Sequence, residues 1–111
     1  MSDRKFEVSL SRSAERMLLQ HAAFLTQVNP AAARKLIRSL NKEKSRLFDN
    51  PYQFPFADDL DVPGIPPETY RKCLFEKRYK ALFIIEENDV YIDAIIDCRQ
   101  ENKSIFQNLH F

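Results

Sequence analysis

The stretch Tyr70–Phe106, YRKCLFEKRYKALFIIEENDVYIDAIIDCRQENKSIF, decides the fold. β-branched and aromatic residues alternate or run together in it, interrupted once at Glu87-Asn88-Asp89, which predicts a three-stranded meander. Side chains alternate across a strand, so Val90, Ile92, Ala94 and Ile96 are expected on one side of the last strand. Tyr91, Asp93, Ile95, Asp97 and Arg99 are expected on the other. This reading makes one face of the sheet core and the other wet. Arg71, Lys80 and Arg99 then decorate the wet face, where an anion would dock.

Working toward the N-terminus, Asn50–Pro67 reads NPYQFPFADDLDVPGIPP and holds five of the six prolines and the only glycine. Proline fixes φ and removes a donor, so this is a loop and not an element. Its aromatics Tyr52, Phe54 and Phe56 are expected to pin it to the helices, with an exposed partner patch as the other reading. Before it, Phe6–Leu10 alternates as a short strand, and Ser11 or Ser13 is placed to cap a helix. Ala14, Met17, Leu18, His21, Leu25 and Val28 make that helix's apolar stripe. The helix should stop near Asn29, because Pro30 suits the first turn of a second helix running to Phe48. Ala33, Leu36, Ile37, Leu40, Leu47 and Phe48 are its inward residues, and the short connection makes an antiparallel hairpin.

The expected architecture is α+β in two layers, in the order β-α-α-β-β-β. An N-terminal strand and a helical hairpin pack on a mainly antiparallel sheet, and the tail has spacing for a short C-terminal helix. Residues 1–111 are expected to be one domain, long enough for a single core without metal or disulfide support. A hydrophobic fraction of 44% with 30% charged residues describes a soluble globular chain. No apolar run approaches a membrane span, and the polar Met1–Lys5 is no signal sequence, so a cytoplasmic protein is expected.

The net charge of +1 is unevenly spread. Residues 1–50 carry ten Lys or Arg against five Asp or Glu, while residues 51–69 carry none against four. Near-neutrality excludes indiscriminate coating of nucleic acid, because that affinity scales with the phosphates neutralised. Arg34, Arg38, Lys42 and Arg46 recur along one side of the second helix, as a solvated face or as a ridge for an acidic partner. His21, alone on an apolar stripe, reads as structural. Cys73 and Cys98 lack metal-ligand spacing and read as buried or half-buried thiols. Neither a metal nor a cofactor is expected.

The segments SRSAERMLLQHAAFL and NPAAARKLI, followed by RYKALF, VYIDAIIDCRQ and SIF, resemble the RelE/ParE superfamily of toxins from bacterial type II toxin–antitoxin systems, the plasmid stabilisation protein family. The resemblance spans about Phe6 to Phe106 and implies one of two mechanisms. RelE-like members are ribosome-dependent mRNA endoribonucleases needing no metal, and ParE-like members poison DNA gyrase. On the nuclease reading Arg71, Lys80 and Arg99 would contact the scissile phosphate. The match to that site is partial: Cys73 stands where a second lysine falls, Phe106 replaces a tyrosine, and Gln100 or Arg99 meets the later arginine. Asp97 and Glu101 are candidate bases that more simply read as solvated acids. The eroded set favours a ParE-like growth inhibitor acting on gyrase or another protein, over cleavage of mRNA on the ribosome; a non-toxic interaction module is the third reading. Either toxin implies an antitoxin partner, for which Arg38, Lys42 and the apolar tail Ile105, Phe106, Leu109 and Phe111 are the expected contacts.

Overall fold

The computed structural model describes residues 5–98, and β1 (Glu7–Leu10) leads directly into the first helix. Ser11 is the cap of α1 (Arg12–Val28): its hydroxyl accepts the Ala14 amide at 3.0 Å. Ser13 lies inside the first turn and is buried. Asn29 then serves two helices. Its amide donates to the Leu25 carbonyl at 2.6 Å, closing α1, and its side chain accepts the Ala31 amide at 3.0 Å, opening α2 (Pro30–Asp49). Asn50 repeats the device at the far end, ending α2 and starting a single 3₁₀ turn, Pro51–Gln53. Caps of this kind satisfy amides and carbonyls that a helix end leaves open.

The remaining elements are β2 (Arg71–Phe75), β3 (Tyr79–Glu86) and β4 (Asp89–Asp97). They form one sheet in the order β1-β4-β3-β2, with β1 parallel to β4 and the other neighbours antiparallel. The α+β class and the β-α-α-β-β-β order agree with the sequence reading. The short C-terminal helix falls outside the described residues.

The face assignment of β4 is corrected by a bulge. Leu82 pairs with Ala94 but Phe83 pairs with Ile92, so Asp93 is an extra residue in β4. One inserted residue reverses which side every later residue faces. Val90 and Ile92 therefore share the helix-side core with Ile95, whereas Ala94 and Ile96 belong to the opposite face. The bulge is tied down from both sides: Ser11 donates to the Asp93 carbonyl at 3.2 Å, and the Tyr70 hydroxyl donates to the Asp93 carboxylate.

Both faces of the sheet are covered over much of their area, although Leu74 and Tyr91 on the second face stay exposed. On the helix side Ala14, Leu36, Leu40 and Leu47 pack against Cys73, Phe75, Ala81 and Phe83. On the other side Ala57, Val62 and Ile65 cover Leu82, Ala94 and Ile96. Residues 54–69 thus form a strap across the second face. The strap holds its shape through its own acids: Asp58 accepts the amides of Leu60 and Asp61 at 2.9 and 3.2 Å. Asp59 accepts the amide of Gly64 at 2.6 Å, and Gly64 sits at φ 83, in the region where a residue without Cβ is favoured.

The helical stripes end earlier than their periodicity suggests. Val28 is 72% exposed and Phe48 43% exposed, so neither is core. Both lie near helix ends, Phe48 beside Glu7 and Val8 of β1 at the rim of an open cavity. Of the loop aromatics, Phe54 is buried edge-on against Phe83 at 5.8 Å and beneath the Arg46 guanidinium of α2. Tyr52 and Phe56 remain exposed.

Candidate functional site

Lys80 lies on the strap side of β3, opposite Leu74 in the register. Its ammonium donates to Asp61 Oδ1 at 2.6 Å, while Lys72 from the neighbouring strand donates to Asp61 Oδ2 at 2.8 Å. All three side chains are shielded from water, Asp61 the most. Burial alone pushes the Asp61 carboxyl up. The hydrogen bonds from Lys72 and Lys80 outweigh that and hold it well below the usual carboxylate range. The carboxylate sits where an anionic ligand of these two lysines would sit.

Arg71 is on the other face. It pairs with Phe83, and alternation along β2 puts it with Cys73 and Phe75 on the helix side. Its guanidinium donates to the Phe54 carbonyl at 2.6 Å and lies 4.2 Å from the Phe56 ring centre and 5.4 Å from that of Tyr52. The shared cationic face expected of Arg71 and Lys80 is therefore absent: the register separates them, and each already has partners within the chain. Arg99, Gln100, Glu101 and Phe106 lie outside the described residues.

Asp97 is not a solvated acid. It is buried and accepts both Nε and Nη2 of Arg78, at 3.1 and 2.8 Å. The same guanidinium lies over the Tyr79 ring. His21 is half-buried, with Nε2 at 2.8 Å from the Ile95 carbonyl and its ring beside Tyr79, in keeping with a packing role.

The two thiols differ. Cys73 is fully buried, 3.3 Å from Oε1 of Glu43, an acid on the inward side of α2 that is also paired with Arg46 at 2.8 Å. Burial first, and then the Glu43 charge, push the Cys73 thiol up to about 12. Cys98 is exposed, which corrects the expectation of burial. Reactivity follows thiolate population and access. A disulfide reagent is expected to titrate Cys98 alone in the native protein and to reach Cys73 only after unfolding; equal rates for both thiols would contradict this burial.

Arg34, Arg38 and Lys42 are exposed on α2 and make no ion pair among the described residues. Arg46, in contrast, is engaged by Glu43 and by the Phe54 ring. The antitoxin-contact candidates Arg38 and Lys42 are thus available to a partner, whereas Ile105, Phe106, Leu109 and Phe111 lie outside the described residues. On α1 the exposed apolar residues are Leu19, Phe24 and Val28. Among the described residues no three His, Cys, Asp or Glu side chains converge as metal ligands, and no helix is long and apolar enough to cross a membrane.

The residue that sequence reasoning missed is Asp61. Its signal was the charge segregation: a segment with four acids and no Lys or Arg folds over a sheet face carrying two lysines.

The architecture is a helical hairpin on a four-stranded sheet whose N-terminal strand pairs in parallel with the last strand. The chain is similar to a solved structure described as the chromosomal ParDE toxin–antitoxin system from P. aeruginosa, with a TM-score of 0.64 and 18% identity. The match covers 83% of this chain and 95% of that one. The likeness is one of fold. No family model and no curated protein matches the sequence.

Proposed function

We propose that this chain is the toxin of a toxin–antitoxin pair and that it acts in the ParE-like manner, by binding a protein target and not by cutting RNA. The ParE/RelE-type fold supports the toxin reading, and the structural neighbour belongs to a toxin–antitoxin system. The observation that carries the choice of mechanism is the Asp61 bridge. A nuclease without a metal needs cations free to neutralise charge on the scissile phosphate. Here Lys80 and Lys72 share an internal carboxylate under the strap, and Arg71 faces the other way. Nearby acid also repels phosphate.

The proposed partners are a cognate antitoxin and, as target, DNA gyrase or another cytoplasmic protein. Arg38 and Lys42 on α2 suit an acidic antitoxin segment, because exposed cations without internal partners lose little on pairing. Induced expression in a bacterial host is expected to arrest growth and to alter plasmid supercoiling. Coexpression of the antitoxin should relieve the arrest. Normal growth at high expression would remove the toxin reading, and arrest with unchanged DNA topology would remove gyrase as the target.

A further inference from the structure

Tyr52 and Phe56 stay 56% and 40% exposed, and the Arg71 guanidinium lies against both rings. The apolar surface continues past Tyr52, whose ring meets Phe6 edge-on at 5.9 Å, to the exposed Phe48, which lines one open cavity with Phe6. Aromatic residues and Arg are the types enriched where proteins meet, and a run of them left in water marks an interaction surface. Three rings about half exposed amount to on the order of 300 Å² of ring surface. That suits a weak contact and not an obligate one.

Arg71, Tyr52 and Phe56 also line a cavity of about 240 Å³ together with Glu68 and Thr69. Arg71 and Glu68 thus stand within one cavity's width, yet among the described residues neither forms an ion pair with the other or with a third group. The Arg71 guanidinium has carbonyl and ring partners only, so its charge is unmatched. Glu68 is exposed and held at φ 56, beside a turn that the Thr69 hydroxyl closes onto the Pro66 carbonyl at 2.7 Å. A partner of one sign would be drawn to one of these groups and repelled by the other. A second copy of the chain offers both, in reverse order across a twofold axis. We propose that this end of the molecule is a self-association surface, where Arg71 of each copy pairs with Glu68 of the other and the rings of Tyr52 and Phe56 pack around the pairs.

A twofold contact uses the same patch on both copies, so one charge match is made twice. The opposite charges at its centre fix the register, and the rings supply the apolar area withdrawn from water. Cation–ring contacts already hold the Arg71 guanidinium in place, which lessens the ordering that association would otherwise cost. The inference uses neither the toxin reading nor its target, so it stands or falls separately from them.

Sedimentation velocity of the purified chain, from micromolar to millimolar concentration, is the test. A monomer–dimer equilibrium is expected, with a dissociation constant on the order of 10–100 µM for a contact of this size. Glu68→Arg, at an exposed position with no ion pair to lose among the described residues, should weaken association by about tenfold or more, since it sets like charges opposite each other twice. Adding Arg71→Glu exchanges the two signs and should restore the dimer, with circular dichroism checking the fold of the double variant. Glu68→Arg leaves the Arg71 contacts intact and decides the question by itself should the double variant not fold. A monomer at millimolar concentration would overturn the proposal, as would association that continues past the dimer. So would undiminished association of Glu68→Arg, or a folded double variant that stays monomeric.

Discussion

Asp61→Ala is expected to lower stability by about 2–4 kcal/mol, because it strands two shielded ammonium groups and removes the acceptor of the Asp58 amide. The lower end allows for the partial exposure of Lys72, which water rescues first. In a chain of this size the midpoint of thermal unfolding should fall by roughly 10–20 °C. The effect should also depend on pH in a fixed sense. The folded carboxyl titrates well below its unfolded counterpart, so the stability it contributes is complete above the unfolded value of about 4 and is lost as pH falls toward the folded one. The gap between wild type and Asp61→Asn should accordingly be widest near pH 6 and narrow steadily below pH ~4. Thermal scans across that range measure it directly, and a gap independent of pH would show that the bridge does not form.

The second large effect concerns the helix-side core. Phe83 is fully buried beneath the strand-to-helix contact and meets Phe54 edge-on, so Phe83→Ala should cost about 3–5 kcal/mol through lost transfer energy and the cavity left behind. Val28→Ser, at a position the helical periodicity marks as core, should change stability by only about 0.5 kcal/mol or less, because Val28 is 72% exposed. Denaturant titration of the pair separates the structural assignment from the periodic one. Comparable losses in both variants would contradict the helix packing described above.

These two variants mark where the sequence was legible. Asn29-Pro30 announces the hairpin because its two residues carry the chemistry of a helix stop and a helix start, and that chemistry is local. Strand identity in Tyr79–Glu86 and Asp89–Asp97 is equally local, resting on β-branched and aromatic runs. The bulge at Asp93 is different. A single extra residue leaves composition and hydrophobicity intact while exchanging the faces of Ile95 and Ala94, and it is fixed by Ser11 and Tyr70 from distant parts of the chain.

The strap was legible as a loop but not as a cover. Val62 and Ile65 lie in a segment without periodicity, so nothing in their spacing says which surface they bury. That omission carried over to the site. With one sheet face assumed wet, Arg71 and Lys80 read as neighbours, although their separation by register and the capture of Lys80 by Asp61 depend on long-range pairing. Arg78–Asp97 and Glu43–Cys73 were hidden for the same reason: each joins residues of different elements whose charges look solvated when read alone.

Closure of the strap-side face also bears on the proposed mode of action. Apolar strap residues and the Asp61 bridge stabilise the same arrangement, so opening this face to RNA would cost both burial and two short ion pairs. The exposed cations of α2 carry no such cost, and they are the surface on which a protein partner is proposed to act.

The most direct measurement is a reconstituted translation assay in which the purified chain is added to ribosomes programmed with a defined messenger, and the messenger is mapped by primer extension. The message is expected to remain intact with wild-type protein and with Lys80→Ala alike. Codon-phased cleavage by the wild type that disappears in Lys80→Ala would contradict the account, since Lys80 would then be a working catalytic cation and not the internal partner of Asp61.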